Sequence, residues 1–145
     1  MPNRGNSLTT SLLDDGPFLG ARGPFPTPNP SVGVVVAVPA LSGATDGTPT
    51  ADGATDVTVS TTVGNGTLYW AVVTNGGAAT NGQIKAGSGG DIVVAGSQAV
   101  SGTGTQTIPL IEGLDPETEY EILFVQTNSL GSDSAQATVP LETTA

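Results

Sequence analysis

The longest apolar run in this chain, Val34 to Leu41, is broken by Pro39, and every later run soon gives way to Gly, Pro, Asn or Asp. A chain punctuated this often has no room for the long amphipathic helices of a bundle. It also has none for a membrane-spanning helix, which needs about 20 consecutive apolar residues. What it accommodates is a series of short strands joined by turns. Composition agrees where it bears on this point. Gly, Thr, Ala, Ser and Val dominate, and charged residues make up 11% of the chain, whereas helices laced with surface ion pairs are rich in Glu and Lys.

From Ser31 onward the strands can be placed. Val34–Leu41 reads as the first, and the following stretch, GATDGTPTADGATD, reads as a long low-complexity connection. Asp56–Thr62 alternates, with Val57 and Val59 on one face. Gly64-Asn65-Gly66 carries hairpin chemistry and leads into Thr67–Thr74 (TLYWAVVT). Ala79–Ala86 predicts a short helix inside a Gly-rich excursion, Gly76 to Gly90, with Gly82 as a weak point. Asp91–Ala95 reads as a short strand and Thr103–Glu112 as another. Pro109 within the latter has no amide to donate, which predicts an edge strand. Thr118–Thr127 (TEYEILFVQT) is the most strongly patterned strand, and Ser134–Leu141 closes the series. About seven short strands with regular turns predict an all-β sandwich over residues 34–145.

Residues 1–33 differ in character. Pro2, Pro17, Pro24, Pro26, Pro28 and Pro30 fix φ, remove donors and disfavour helix in the residue before them, so an extended arm is expected. Such a segment does not bury enough of itself to offset its own ordering entropy. Yet it holds Leu8, Leu12, Leu13, Phe18, Leu19 and Phe25, including two of the chain's three Phe. Two readings follow. The arm folds back on its own domain, or it docks on another subunit with Leu12, Leu13, Phe18, Leu19 and Phe25 as contacts, the two Phe as anchors. The second is the reading adopted here.

Charge and residue inventory exclude whole classes of function. With no Cys and no His, the chain has no thiol nucleophile, no imidazole base, no disulfide, and no Cys- or His-based zinc, haem or iron–sulfur site. Thirteen acidic residues face only Arg4, Arg22 and Lys85, for a net charge of −10. Nucleic-acid binders replace counterions with basic side chains, and anionic membrane surfaces select them too. Neither partner is expected. The start, MPNRGNSLTTSLLDDGPF, lacks the apolar core and cleavage site of a signal peptide.

The segment Gly113-Leu114-Asp115-Pro116-Glu117-Thr118-Glu119-Tyr120 resembles the corner that precedes the sixth strand of fibronectin type III domains, whose pattern is G-L-x-P-x-T-x-Y. The resemblance extends over about residues 34–142 and implies an immunoglobulin-like, fibronectin type III-like sandwich. In it Leu114 plugs the end of the core, the Tyr120 hydroxyl bonds back to the turn backbone, and Tyr120, Ile122 and Phe124 point inward. The chain differs from that family in having no Trp on the second-strand candidate DVTVST, with Trp70 on the strand after it, and in a longer connection from Asn75 to Ala99.

A second, narrower resemblance covers 64–114, GNGTLYWAVVTNG…QIKAG…GSQAV…GTQTI…GL. It is similar to domains repeated in bacteriophage tail and virion proteins. The matching residues include Tyr69, Trp70, Gln83, Ile84, Lys85, Ala86, Gly87, Ser97, Gln98, Ala99 and Val100. The resemblance implies a virion structural protein, assembled in the host cytoplasm, with no cofactor. Its partner would be the major capsid protein or other virion proteins, and it would act as a homo-oligomer, a trimer among the options. A capsid decoration (cement) protein is the leading expectation. A tail or head-fibre protein contacting host surface glycan is the alternative, and a bacterial adhesion module is a third.

Individual residues sharpen these expectations. Tyr69 and Trp70 point to opposite faces of one strand. With Trp70 inward beside Tyr120 and Phe124, the other face carries Tyr69, Val73, Leu123 and Val125. An apolar stripe of this kind needs a cover, either the 79–86 segment or a second subunit, at a three-fold axis for instance. Asp46, Asp52 and Asp56 lie in a Gly-rich stretch but match no calcium-loop spacing. Glu112, Asp115, Glu117, Glu119 and Glu121 cluster at the corner, which is the pattern of a solvated face. Paired carboxylates serve glycosidases, but those enzymes work in a cleft, usually aromatic-lined, and this chain has six aromatic residues. No enzymatic activity is expected.

Overall fold

A computed structural model describes residues 37–145, which fall within the second of the chain's two units, Val36–Ala145. The expected arm and its contacts Leu12, Leu13, Phe18, Leu19 and Phe25 lie outside the described residues. The chain runs β1 (Leu41–Thr45), β2 (Thr48–Thr50), β3 (Gly53–Thr61), β4 (Thr67–Thr74), α1 (Asn81–Ala86), β5 (Ile92–Ala99), β6 (Gly104–Glu112), β7 (Glu119–Thr127) and β8 (Ala137–Glu142). Two antiparallel four-stranded sheets result. In the first, β3 lies between β6 on one side and β1 and β2 on the other; in the second the order is β5-β4-β7-β8. This is an all-β sandwich.

Alternation fills the space between the sheets. Ala54, Val57 and Val59 of β3 and Ile108 and Ile111 of β6 face Leu68, Trp70 and Val72 of β4, Tyr120, Ile122 and Phe124 of β7, and Leu141 of β8. Phe124 is fully buried at the centre. Trp70 sits opposite Gly96 of β5 in the ladder, and a Cβ at that glycine would come within 2.4 Å of the indole. The ring therefore lies over bare backbone, the packing that lets an aromatic shield a strand glycine. Trp70, Leu114, Tyr120, Ile122 and Phe124 all belong to this core.

At the corner, the Asp115 amide donates to the Tyr120 hydroxyl at 3.0 Å, and Leu114 closes the core with 5% exposure. Thr143 ties the C-terminal end to the same turn, its hydroxyl donating to the Asp115 carbonyl at 2.6 Å.

The structure corrects several sequence expectations. The first strand begins at Leu41, and Ala37–Ala40 are not in a strand. Pro39 has no amide to pair, and pairing to the end of β3 starts only where the Ala40 carbonyl accepts from the Thr62 amide (3.2 Å). The supposed connection GATDGTPTADGATD is mostly strand. Thr48–Thr50 and Gly53–Thr55 form a hairpin across Ala51-Asp52, and β1 and β2 share one edge of β3, with a break at Asp46-Gly47. The turn Gly64-Asn65-Gly66 is not a hairpin but the crossover between sheets, because both sides of β3 are already occupied. Gly66, at φ +90°, packs so close to the Thr127 carbonyl that a Cβ would collide with it. Finally, β5 runs to Ala99, beyond the expected Ala95, and the described residues hold eight strands. Pro109 does lie on an edge strand, since among the described residues β6 pairs only with β3.

Candidate interaction surfaces

The outer face of the second sheet is covered from within the chain. Ala71, Val73, Leu123 and Val125 are buried beneath α1, whose Ile84 inserts among them. The helix has six residues, too few to persist alone in water, so its ends are fixed. Thr80 and Gln83 form a capping box, and Gly87 closes the other end in the left-handed region. Side chains then fasten it to β7 and the segment before β8. Lys85 Nζ reaches both carboxylate oxygens of Asp133 (2.9 and 3.0 Å), Asn81 donates to the Ser134 carbonyl, and Gln136 donates to the Ala79 carbonyl. The Thr127 hydroxyl, donating at 2.6 Å, and the Lys85 ammonium hold the Asp133 carboxyl below its ordinary value.

Val73, Leu123 and Val125 are therefore inner residues of a second small core and not an open subunit face. Tyr69 remains half-exposed at its margin. Of the two covers considered for this stripe, the 79–86 segment is the one the chain uses.

The two ends of the sandwich differ sharply. Strand register brings 62–66, 100–103 and 128–136 to one end, together with Ala37–Ala40 where the described domain begins. This end is organised by buried polar side chains. Gln126, fully buried, donates to the carbonyls of Val63 (2.7 Å) and Asn65 (2.8 Å) and accepts from the Thr61 hydroxyl. Asn128 donates to the Ala37 carbonyl at 2.9 Å and accepts from the amides of Leu130 and Ser132. For the fully buried Gln126 these bonds satisfy an amide that would otherwise be stranded without water. The loops here contain one carboxylate, Asp133, and it is paired with Lys85, the one basic residue in 37–145. Two large apolar side chains stand in solvent at this end, Val38 (59% exposed) and Leu130 (65%).

The opposite end collects Asp52, Asp91, Glu112, Asp115, Glu117, Glu119 and Glu142, with no basic residue among the described residues there. Asp46, Asn75, Glu119, Tyr120, Pro140, Leu141 and Glu142 line a shallow cleft of about 270 Å³ in this region, smaller than most ligand pockets. Asn75 occupies one Glu119 oxygen at 2.7 Å. Among the described residues, no three Asp or Glu side chains are grouped to hold a metal ion, so Asp46, Asp52 and Asp56 do not converge.

The acidic corner is visible in the sequence. Its position opposite the end where residue 37 enters depends on strand order, and no local pattern encodes that. Gln126 and Asn128 were missed because a polar residue at the end of an apolar strand reads as a boundary, not as a buried anchor. No family model matches the chain, and no curated protein matches it.

Proposed function

We propose that this chain is a bacteriophage virion structural protein, a capsid decoration protein whose sandwich is of the fibronectin type III kind. The observation that carries the reading is the domain's end-to-end asymmetry. Its carboxylate-poor end, where the one acid Asp133 is paired with Lys85 and Val38 and Leu130 are exposed, is the end where the preceding 36 residues join. Its carboxylates gather at the far end. A domain built this way suits attachment through its first residues, with the acidic end turned to solvent, where charge favours solubility. Residues 1–33 supply Leu12, Leu13, Phe18, Leu19 and Phe25 as contacts, and an extended segment buries much area per residue at the cost of ordering entropy on binding. The domain type is supported by the corner, where the hydroxyl of Tyr120, near the start of β7, accepts from a backbone amide five residues upstream.

The test is co-sedimentation of full-length and Δ1–33 protein with phage heads stripped of this component. Full-length protein should pellet with heads and the truncated protein should not. Equal binding by both would remove the arm from the mechanism. Binding by neither would favour a tail or head-fibre protein contacting host glycan.

A further inference from the structure

Sheet edges expose unpaired amides and carbonyls, and soluble proteins block them with proline, charge or breaks. Three edges of this sandwich are blocked. β6 carries Pro109, β8 carries Pro140, and the β1–β2 edge carries Pro49 and the break at Asp46-Gly47. The fourth is open over most of its length. Among the described residues β5, IVVAGSQA, pairs only with β4; its register shifts once, at Val93, and from Val94 to Ala99 it has no proline, no charged residue and no further break.

Register shows which groups it offers. The Val100 amide donates to the Gly66 carbonyl at 3.0 Å, continuing the β4–β5 ladder. Alternation in an antiparallel ladder then turns Val94, Gly96 and Gln98 toward β4 and leaves the amides of Ala95, Ser97 and Ala99 pointing away. No backbone hydrogen bond reaches those three among the described residues. Val93, on the same strand, is 45% exposed.

We propose that β5 is a self-pairing edge, joining two copies of this chain antiparallel about a two-fold axis and merging their second sheets into one. Charge selects a second copy as the occupant. Each copy carries a net charge of −10, so another copy can approach closely only where no carboxylate lies, and β5 is such a place. A basic strand from a different protein would find no acidic side chain along β5 to pair with, whereas β6 and β8 end in Glu112 and Glu142. With the pairing centred on Gly96, Ala95 of one copy faces Ser97 of the other, and small side chains let the backbones close to the usual spacing of about 4.8 Å. The two copies of Asp91, the carboxylate next to β5 in sequence, then lie about 33 Å apart at 3.3 Å per residue, well beyond the screening length of about 8 Å.

The experiment is sedimentation velocity on the full-length chain over a concentration series, with Ser97→Pro and Val93→Lys alongside. Ser97→Pro installs the block that the other edges carry, at an amide the β4 ladder does not use. Val93→Lys adds charge at an exposed position and serves as a second variant should the first misfold, with circular dichroism as the fold check. The expected result is a monomer–dimer equilibrium in the wild type, with dissociation constants raised at least tenfold in both variants. Because the chain has no cysteine, Thr138→Cys on β8 takes a single spin label. In the dimer the two labels sit seven strand spacings apart, about 34 Å. A wild-type chain that stays monomeric throughout, a dimer indifferent to both variants, or labels at a clearly different separation overturns the proposal.

Discussion

The central strands β4 and β7 bury both of their faces, by different means. The inner face meets the other sheet, and its partners Val57, Val59, Ile108 and Ile111 are held by ladders far apart in sequence. The outer face meets only a six-residue helix, with Ile84 as its single fully buried contact and a set of polar clasps at its margin. The difference is one of cooperativity. Disturbing the inner face costs the whole sandwich, whereas the outer cover is able to open on its own, because few buried contacts hold it.

The most severe way to test this is Phe124→Ala, which leaves a large cavity between the sheets. A loss of about 3–5 kcal/mol is expected, read by denaturant unfolding as one transition with all backbone amides losing protection together. Ile84→Ala should cost less, about 2 kcal/mol, the low end for such truncations. Hydrogen exchange should show α1 and the outward amides near it exposed first, with protection of β3 and β6 retained. Equal loss of protection in both sheets would mean that the cover is part of the main cooperative unit.

Lys85→Met is the gentlest probe. The pair it removes is partly exposed, so a cost below about 1 kcal/mol is expected. Its signature is in the pH dependence. Asp133 is held below its ordinary value of 3.8, first by the Thr127 hydroxyl and then by Lys85. The stability linked to that shift is therefore present above about pH 3.8 and is lost as pH falls from there through the lower folded-state value. In Lys85→Met the acid-induced loss should be smaller, and the contribution left should come from Thr127. An unchanged acid profile would show that the pair does not hold the cover.

These contrasts also separate what sequence could and could not reveal. The strands of the inner core were legible because alternation is a local signal. TLYWAVVT is β4 residue for residue, and TEYEILFVQT is β7 with one extra residue at its start. The helix was legible only as a short segment, Ala79–Ala86; its start at Asn81 is fixed by the Thr80–Gln83 capping box. The first sheet's edge was not, because β1 and β2 are made of Gly, Thr, Pro and Asp, and only the pairing surface offered by β3 makes them strands. Likewise GSQA reads as a turn until Trp70 is seen to lie across Gly96. The asymmetry of the ends was legible only in part. The acidic corner is contiguous in sequence, but Asp52, Asp91 and Glu142 join it through strand order.

Trp70 has a further consequence. It is the chain's only tryptophan, and its ring bridges the interior and the least protected strand. The native protein thus carries one indole fluorophore at the junction of its core and its open edge strand. Its emission is a single optical channel for both water entry between the sheets and the departure of β5 from β4. The two tyrosines absorb at shorter wavelength than the indole, so excitation at the red edge isolates that channel without any label.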